Sequence, residues 1–260
     1  MSQRPVVLCF SGHDPSGGAG IQADIETIFS HQCHCASVIT ALTEQDSRNV
    51  KKLIPQHKAD IIQQAETVLA DYQVAAIKIG LIGDSETALA IGQILRNHPK
   101  IPVILDPVLA AGGGTELASQ ALLDNIVKVL LPLTTVLTPN SDEARRLAKQ
   151  QNLAECGWLL QNQGAEFVLI TGTHEASDLV HNQLFMPEHK TETFNWERLA
   201  HSYHGSGCTL ASAIAALMAL GLDAFTAISE AQEFTWQSLA SADLPGKGQH
   251  IPNRLFWLDS

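Results

Sequence analysis

Basic side chains are scarce in this chain: 16 Lys and Arg stand against 27 Asp and Glu, for a formal net charge of -11. Such a surface repels phosphodiester backbones and anionic lipid, which argues against a nucleic-acid or membrane partner; any anionic ligand must be held locally, by backbone donors or a metal. Cysteine offers no framework either. The five thiols are odd in number and irregular in spacing, so no disulfide scaffold is implied and a reducing compartment is the simplest context. No apolar run reaches membrane-spanning length, and Met1-Ser2-Gln3-Arg4-Pro5 enters a short strand without the h-region of a signal peptide, so a cytoplasmic protein is expected. The absence of a G-x-x-x-x-G-K-[ST] loop excludes a P-loop enzyme. There is no internal repeat, low-complexity tract or linker, and 260 residues with 45% hydrophobic content suffice for one core, so a single domain over 1–260 is expected.

What is present is a repeating unit. Residues 5–10 (PVVLCF) form a short β-branched apolar run, residues 11–20 (SGHDPSGGAG) a glycine-rich loop, and residues 21–30 a helix with Ile21, Ile25, Ile28 and Phe29 on one side. The same alternation predicts strands at 37–42, 75–81, 103–105, 135–137 and 167–171, and helices at 59–70, 85–95, 119–130, 142–148, 154–162 and 224–241. Short apolar strands alternating with amphipathic helices imply an α/β fold with a mainly parallel sheet, because parallel neighbours need crossover connections. From 178 to 196 the polar and apolar residues alternate instead, which predicts an antiparallel pair at one edge. The tail from Asp243 onward, with Pro245, Gly246, Gly248 and Pro252, reads as mostly irregular.

In an open parallel sheet, ligands bind beyond the carboxyl ends of the strands. The informative residues of this chain follow its strands: SGHDPSGGAG after the first, Thr43 to Asp46 after the second, Lys78 to Leu81, then Asp106-Pro107-Val108, Thr138 to Glu143, and Thr171-Gly172-Thr173. The strongest single stretch is 204–216 (HGSGCTLASAIAA), where Gly205 and Gly207 bracket Ser206 and lead into a helix of Ala, Leu and Ile. Such a turn aims backbone N–H groups at one point and adds the positive end of the helix dipole, a phosphate site without a lysine; its plain alternative is a tight turn. Cys208 would sit on the first helical turn, where a thiol tends to lose its proton more easily. Asp106 and Glu143 offer the hard oxygens that Mg2+ takes, usually through retained waters, while Glu143 and Asn140 also suit a helix start as dipole partner and cap. Asp24 and Gln45, taken alone, read as solvent-exposed polar groups.

Two other patterns carry less. Residues 18–23 (GAGIQA) fit the dinucleotide spacing, yet residues 11–17 separate them from the strand. Residues 31–35 (HQCHC) are rich in metal ligands but too close together to wrap one tetrahedral zinc, and read as a helix-to-strand crossing.

The ordered set SGHDPSGGAGIQADIET, SVITALTEQD, KIGLIG, VILDPVLAAGGG, TPNSDEARRL and HGSGCTLASAIAA resembles the hydroxymethylpyrimidine and phosphomethylpyrimidine kinases of thiamine biosynthesis, in the ribokinase-like superfamily. The resemblance implies a three-layer α/β/α sandwich. It also implies transfer of the ATP γ-phosphate, with Mg2+, to a hydroxymethylpyrimidine and then to its monophosphate, in a homodimer. By the same resemblance, Gly205, Ser206, Gly207 and Cys208 are the anion hole and catalytic position, and Gln45, Gly12, Ala19, Asp24, Leu81 and Val108 the pyrimidine pocket. Asn140, Glu143, Thr171 and Gly172 fall to the nucleotide, and Asp106 with Glu143 to the metal. Three departures stand out: Thr171 where a lysine is frequent, His201-Ser202-Tyr203-His204 ahead of the anion hole, and only part of a glycine-alternating segment at 246–250. The rival readings are a pyridoxal kinase of the same fold and a non-catalytic pyrimidine sensor.

Overall fold

The β-branched runs and the helices between them build β1 (Val6–His13), α1 (Gly20–Ser30), β2 (His34–Gln45), β3 (Val50–Pro55), α2 (Lys58–Asp71), β4 (Val74–Ile79), α3 (Ser85–Asn97) and β5 (Val103–Leu105). There follow α4 (Gln120–Asn125), β6 (Val136–Leu137), α5 (Ser141–Ala148), α6 (Leu153–Asn162), β7 (Phe167–Ile170), β8 (Leu179–Met186), β9 (Lys190–Glu197), α7 (Ser206–Ala219) and α8 (Ala224–Ala240). This computed structural model describes residues 4–259; Met1, Ser2, Gln3 and Ser260, which fall within the expected domain, lie outside the described residues, and so do the first three residues of the stretch inspected for a signal peptide.

The strands form one nine-stranded sheet in the order β3-β2-β1-β4-β5-β6-β7-β8-β9. From β2 to β7 every pairing is parallel, as the alternation requires. The expected antiparallel edge is β8 with β9, joined to β7. A second antiparallel edge, β3 against β2, was not expected. Its residues alternate weakly, and Lys51 and Lys52 are exposed there, the kind of charge that blunts a sheet edge.

Alternate side chains of the central strands enter two separate cores. Val6, Leu8 and Phe10 of β1 pack with α2 to α6 on one face. Val7 and Cys9 pack with α1, α7 and α8 on the other. That is the three-layer sandwich. Each fully buried Ile or Leu in these cores stabilises by roughly 1.5–3 kcal/mol. The chain leaves β1 toward β2 on one side and returns to β4 on the other, so a crevice opens between the carboxyl ends of β1 and β4.

Several boundaries shift. β1 continues through Ser11, Gly12 and His13, with a register irregularity between Ser11 and Gly12, so the glycine-rich loop is shorter than expected. The helix expected over 119–130 holds α-geometry only in α4 and then widens over Ile126–Leu130. Residues 31–35 do make the helix-to-strand crossing: Gln32 takes φ 59° and His34 stacks on Tyr72. No helix of the described residues is long and apolar enough to cross a membrane.

Candidate active site

The carboxyl ends of the strands open into one cleft of about 680 Å³, and the start of α7 lies on its wall. Ser206, Gly207 and Cys208 are the first residues of α7, and the first intrahelical bond is from Thr209 N to Gly205 O, 2.9 Å. Their three N–H groups therefore have no partner within the helix, and no side chain caps it. Gly205 has φ 91°, and a Cβ there would lie 1.9 Å from Gly18 O, so only glycine lets the chain turn into α7 against the first loop. The helix itself is apolar on nearly every side, with residues from Thr209 to Leu217 buried, which fixes the turn in place.

Behind that turn lies an unusual buried charge. Lys78 and Asp24 are both 0% exposed and form an ion pair of 2.8 Å. Ser212 donates to Asp24 Oδ1 at 2.7 Å, and Ser11 donates to its other oxygen. Burial works against the Lys78 ammonium, but the charge of Asp24 holds it above its ordinary range. Asp24 thus neither faces solvent nor lines the cleft, which corrects both of its expected placements. The reason is the cation on β4, too far along the chain for local spacing to reveal.

The acidic groups around the turn are shifted upward. Burial pushes Asp106 up to about 6 even though Lys78 draws it down. Burial, and after it the charge on Asp106, pushes Glu143 up to about 8, against the hydrogen bonds that Asn140 N and Leu109 N donate to it. Those bonds measure 2.9 Å and 3.3 Å, and Asn140 Oδ1 accepts from Glu143 N, so Glu143 closes a capping box on α5 while also lining the cleft. Cys208 corrects the sequence reading. Burial raises its thiol to about 12; Lys78 lowers it, but Asp106 and Asp24 raise it again, so the position at a helix start does not make a thiolate.

At the β1–β2 end of the cleft, Gly12, Ala19, Gln45, Leu81 and Val108 line the wall. Gln45 is not alone there. Its side-chain amide lies 2.8 Å from His204 Nε2, which lies 2.7 Å from Asp14 Oδ2. Asp14 accepts from Ser16 N, Ser16 Oγ and Ala19 N at 2.7–2.8 Å and so shapes the loop after β1. Burial opposes its charge, but hydrogen bonds from His204 and Ser16 hold its carboxyl down to about 2. The opposite end is lined from β7, β8, β9 and α8, including Thr171, Asn182, Trp196 and Gln232. Gly172 does not line the cleft; its N–H donates to Asn182 Oδ1 at 3.0 Å, and a Cβ on it would meet His181 O at 2.2 Å.

The family model described as phosphomethylpyrimidine kinase matches residues 14–253. Hydroxymethylpyrimidine/phosphomethylpyrimidine kinases of Rhizobium meliloti and Synechococcus elongatus are 35% and 34% identical to this chain, each covering 94% of it and 94–95% of the relative. The chain belongs to the phosphomethylpyrimidine kinase family. The phosphomethylpyrimidine kinase of Clostridium difficile superposes with a TM-score of 0.79 at 29% identity, over 91% of this chain and all of the other. Pyridoxal kinase of Bacillus subtilis, in an ADP complex, reaches a TM-score of 0.90 at 24% identity over 99% of this chain. The closer superposition goes with the more distant sequence, so that likeness speaks for the ribokinase-like fold alone.

Three residues that hold the loops around the cleft of this phosphomethylpyrimidine kinase family member escaped the sequence reading. Asp14 lay inside a loop read only for its glycines. His204 was part of a motif without a role of its own. Arg254 sat in a tail read as irregular, yet it is 1% exposed and donates to Thr209 Oγ1 (2.9 Å), Glu26 (2.8 Å) and Gly18 O (2.6 Å). A signal existed: an isolated Arg behind Pro252 in a chain this short of cations.

Proposed function

We propose that this chain transfers the γ-phosphoryl group of ATP to the hydroxymethyl group of an aminopyrimidine and then to the resulting monophosphate, supplying the diphosphate used in thiamine biosynthesis. The observation that carries the reading is the placement of the amide turn at Ser206 to Cys208 in one cleft between the Gln45 end and the Trp196 end. The heterocycle occupies the first and the nucleotide the second, with the migrating group between them.

Asp106 and Glu143 are the residues that would hold Mg2+. Their buried carboxylates, each raised in pKa and one of them by the other, offer the hard oxygens a divalent cation takes. When bound, Mg2+ neutralises phosphate charge. The chain's own part is alignment: the α7 amides hold the phosphoryl oxygens, and Gln45 holds the ring edge. Lys78, buried behind the turn, spends its charge on Asp24, so the turn's own amides carry the contact with the phosphate. Phosphoryl transfer asks for this positioning more than for a strong base. Cys208 stands at the reacting centre as a thiol and so is not the base; it orients the attacking hydroxyl, whose proton passes to an oxygen of the transferred phosphoryl group as the new O–P bond forms and the bond to ADP breaks. The reading extends to a cytoplasmic homodimer working on small molecules.

The test compares kcat/KM for hydroxymethylpyrimidine and for pyridoxal with ATP and Mg2+. The pyrimidine is expected to be preferred; a strong pyridoxal preference overturns the choice of substrate, and no ATP consumption with either overturns the kinase reading. Cys208→Ala is expected to lower kcat about 10²-fold, the cost of a misplaced attacking hydroxyl, while KM for the pyrimidine stays within about twofold. Unchanged turnover removes Cys208 from the mechanism.

A further inference from the structure

The contacts around His204 Nε2 admit one placement of hydrogens. Asp14 is 3% exposed, its Oδ2 already accepts from Ala19 N, and it remains a carboxylate. The 2.7 Å contact to His204 therefore needs a hydrogen on Nε2, whether or not Nδ1 carries one as well. A nitrogen that donates cannot also accept from an amide NH2. The Gln45 atom 2.8 Å from it must then be the carbonyl oxygen, sharing the Nε2 hydrogen with Asp14 in a three-centre bond. The other end of the amide, 3.1 Å from Thr43 Oγ1, becomes the NH2. Thr43 accepts from it and spends its own hydrogen on His13 O at 3.0 Å. The reverse orientation sets two donors face to face and asks one hydroxyl hydrogen to serve two acceptors.

We propose that the Asp14–His204 pair is the positioning element that locks the Gln45 amide in one orientation, and so makes His204 a determinant of which heterocycle the cleft selects. This rests on the proposed pyrimidine reading and deepens it. A locked amide offers the ligand one acceptor lone pair and one N–H in a fixed order. A heterocycle with an amino group beside a ring nitrogen matches that order, the amine donating to Gln45 oxygen and the ring nitrogen accepting from its NH2. A heterocycle with the order reversed, or with no ring nitrogen beside its donor, meets an unpaired group, which a site built on hydrogen bonds penalises heavily. A freely rotating amide would serve both.

His204→Phe removes the donor and is expected to raise KM for the pyrimidine about tenfold, with KM for ATP within about twofold, and to lower the pyrimidine-to-pyridoxal ratio of kcat/KM by a similar factor. His204→Gln, which keeps an N–H for Asp14, should recover part of that ratio. Equal losses on both substrates with an unchanged ratio overturn the proposal, because that is what loosening the anion turn would do. Independently of any substrate, nitrogen NMR of the ring in the full-length protein should find hydrogen on Nε2, and a bare Nε2 overturns the assignment. Failure of the wild type to phosphorylate pyrimidine alcohols would instead sink the functional reading, with the NMR result still deciding the orientation of Gln45.

Discussion

Lys78 shows how a single residue sets the character of this site. It is a buried ammonium in a chain short of cations, and Asp24 is what makes its burial tolerable. Lys78→Met should cost about 3–5 kcal/mol in urea unfolding, because Asp24 is then left charged with only the Ser11 and Ser212 hydroxyls for company. Adding Asp24→Asn should recover much of the loss, since a neutral amide at that site can still use both hydroxyls. A single-variant cost near zero would mean that the pair is not the buried charge couple described here.

At the scale of elements, α7 and the C-terminal segment form one device. Arg254 ties Thr209 on the first full turn of α7 to Gly18 in the loop after β1, so the tail clamps together the two pieces of backbone that bound the anion turn. Arg254→Ala is expected to lower stability by about 2–4 kcal/mol through its orphaned partners, and to raise KM for both substrates as the turn loosens. Calorimetric melting and steady-state kinetics read the two effects, and an unchanged melting temperature would refute the clamp. Most elements were legible because their signal is local. The apolar run of β1, the spacing of Ile21, Ile25 and Ile28 on α1, and the alternation over β8 and β9 each lie within one window of sequence. The turn at Gly205 was legible for the same reason. What stayed hidden depends on distant partners: Asp24 needs Lys78, Gln45 needs His204 and Asp14, and Gly18 needs Arg254. The thiol of Cys208 was misread because the helix start was visible in the sequence while the burial and the carboxylates of Asp106 and Asp24 around it were not.

For the whole molecule, the shortage of cations determines how an anion is held. Arg198, which lines the far end of the cleft, spends its guanidinium on the carbonyls of Ser177, Thr173 and Glu175 and has little left for a phosphate. The cleft otherwise presents the carboxyls of Asp106 and Glu143, so the free protein carries acidic groups where the ligand is also negative. Burial first, and mutual repulsion in the case of Glu143, raise these groups to about 6 and about 8. A raised acid stabilises the fold most fully below the ordinary carboxyl range, where it is protonated, and that contribution is lost as pH climbs through the raised values. The protein without metal should therefore lose melting temperature between about pH 5 and pH 8, the window set by those two groups. Mg2+ binds the ionised form, so it should raise the melting temperature clearly at pH 8 and little at pH 5. Asp106→Asn with Glu143→Gln should abolish both the pH trend and the Mg2+ response. An equal Mg2+ shift at the two pH values, or one that survives in the double variant, would place the cation elsewhere, and the carboxylates would then serve only as cap and cleft wall.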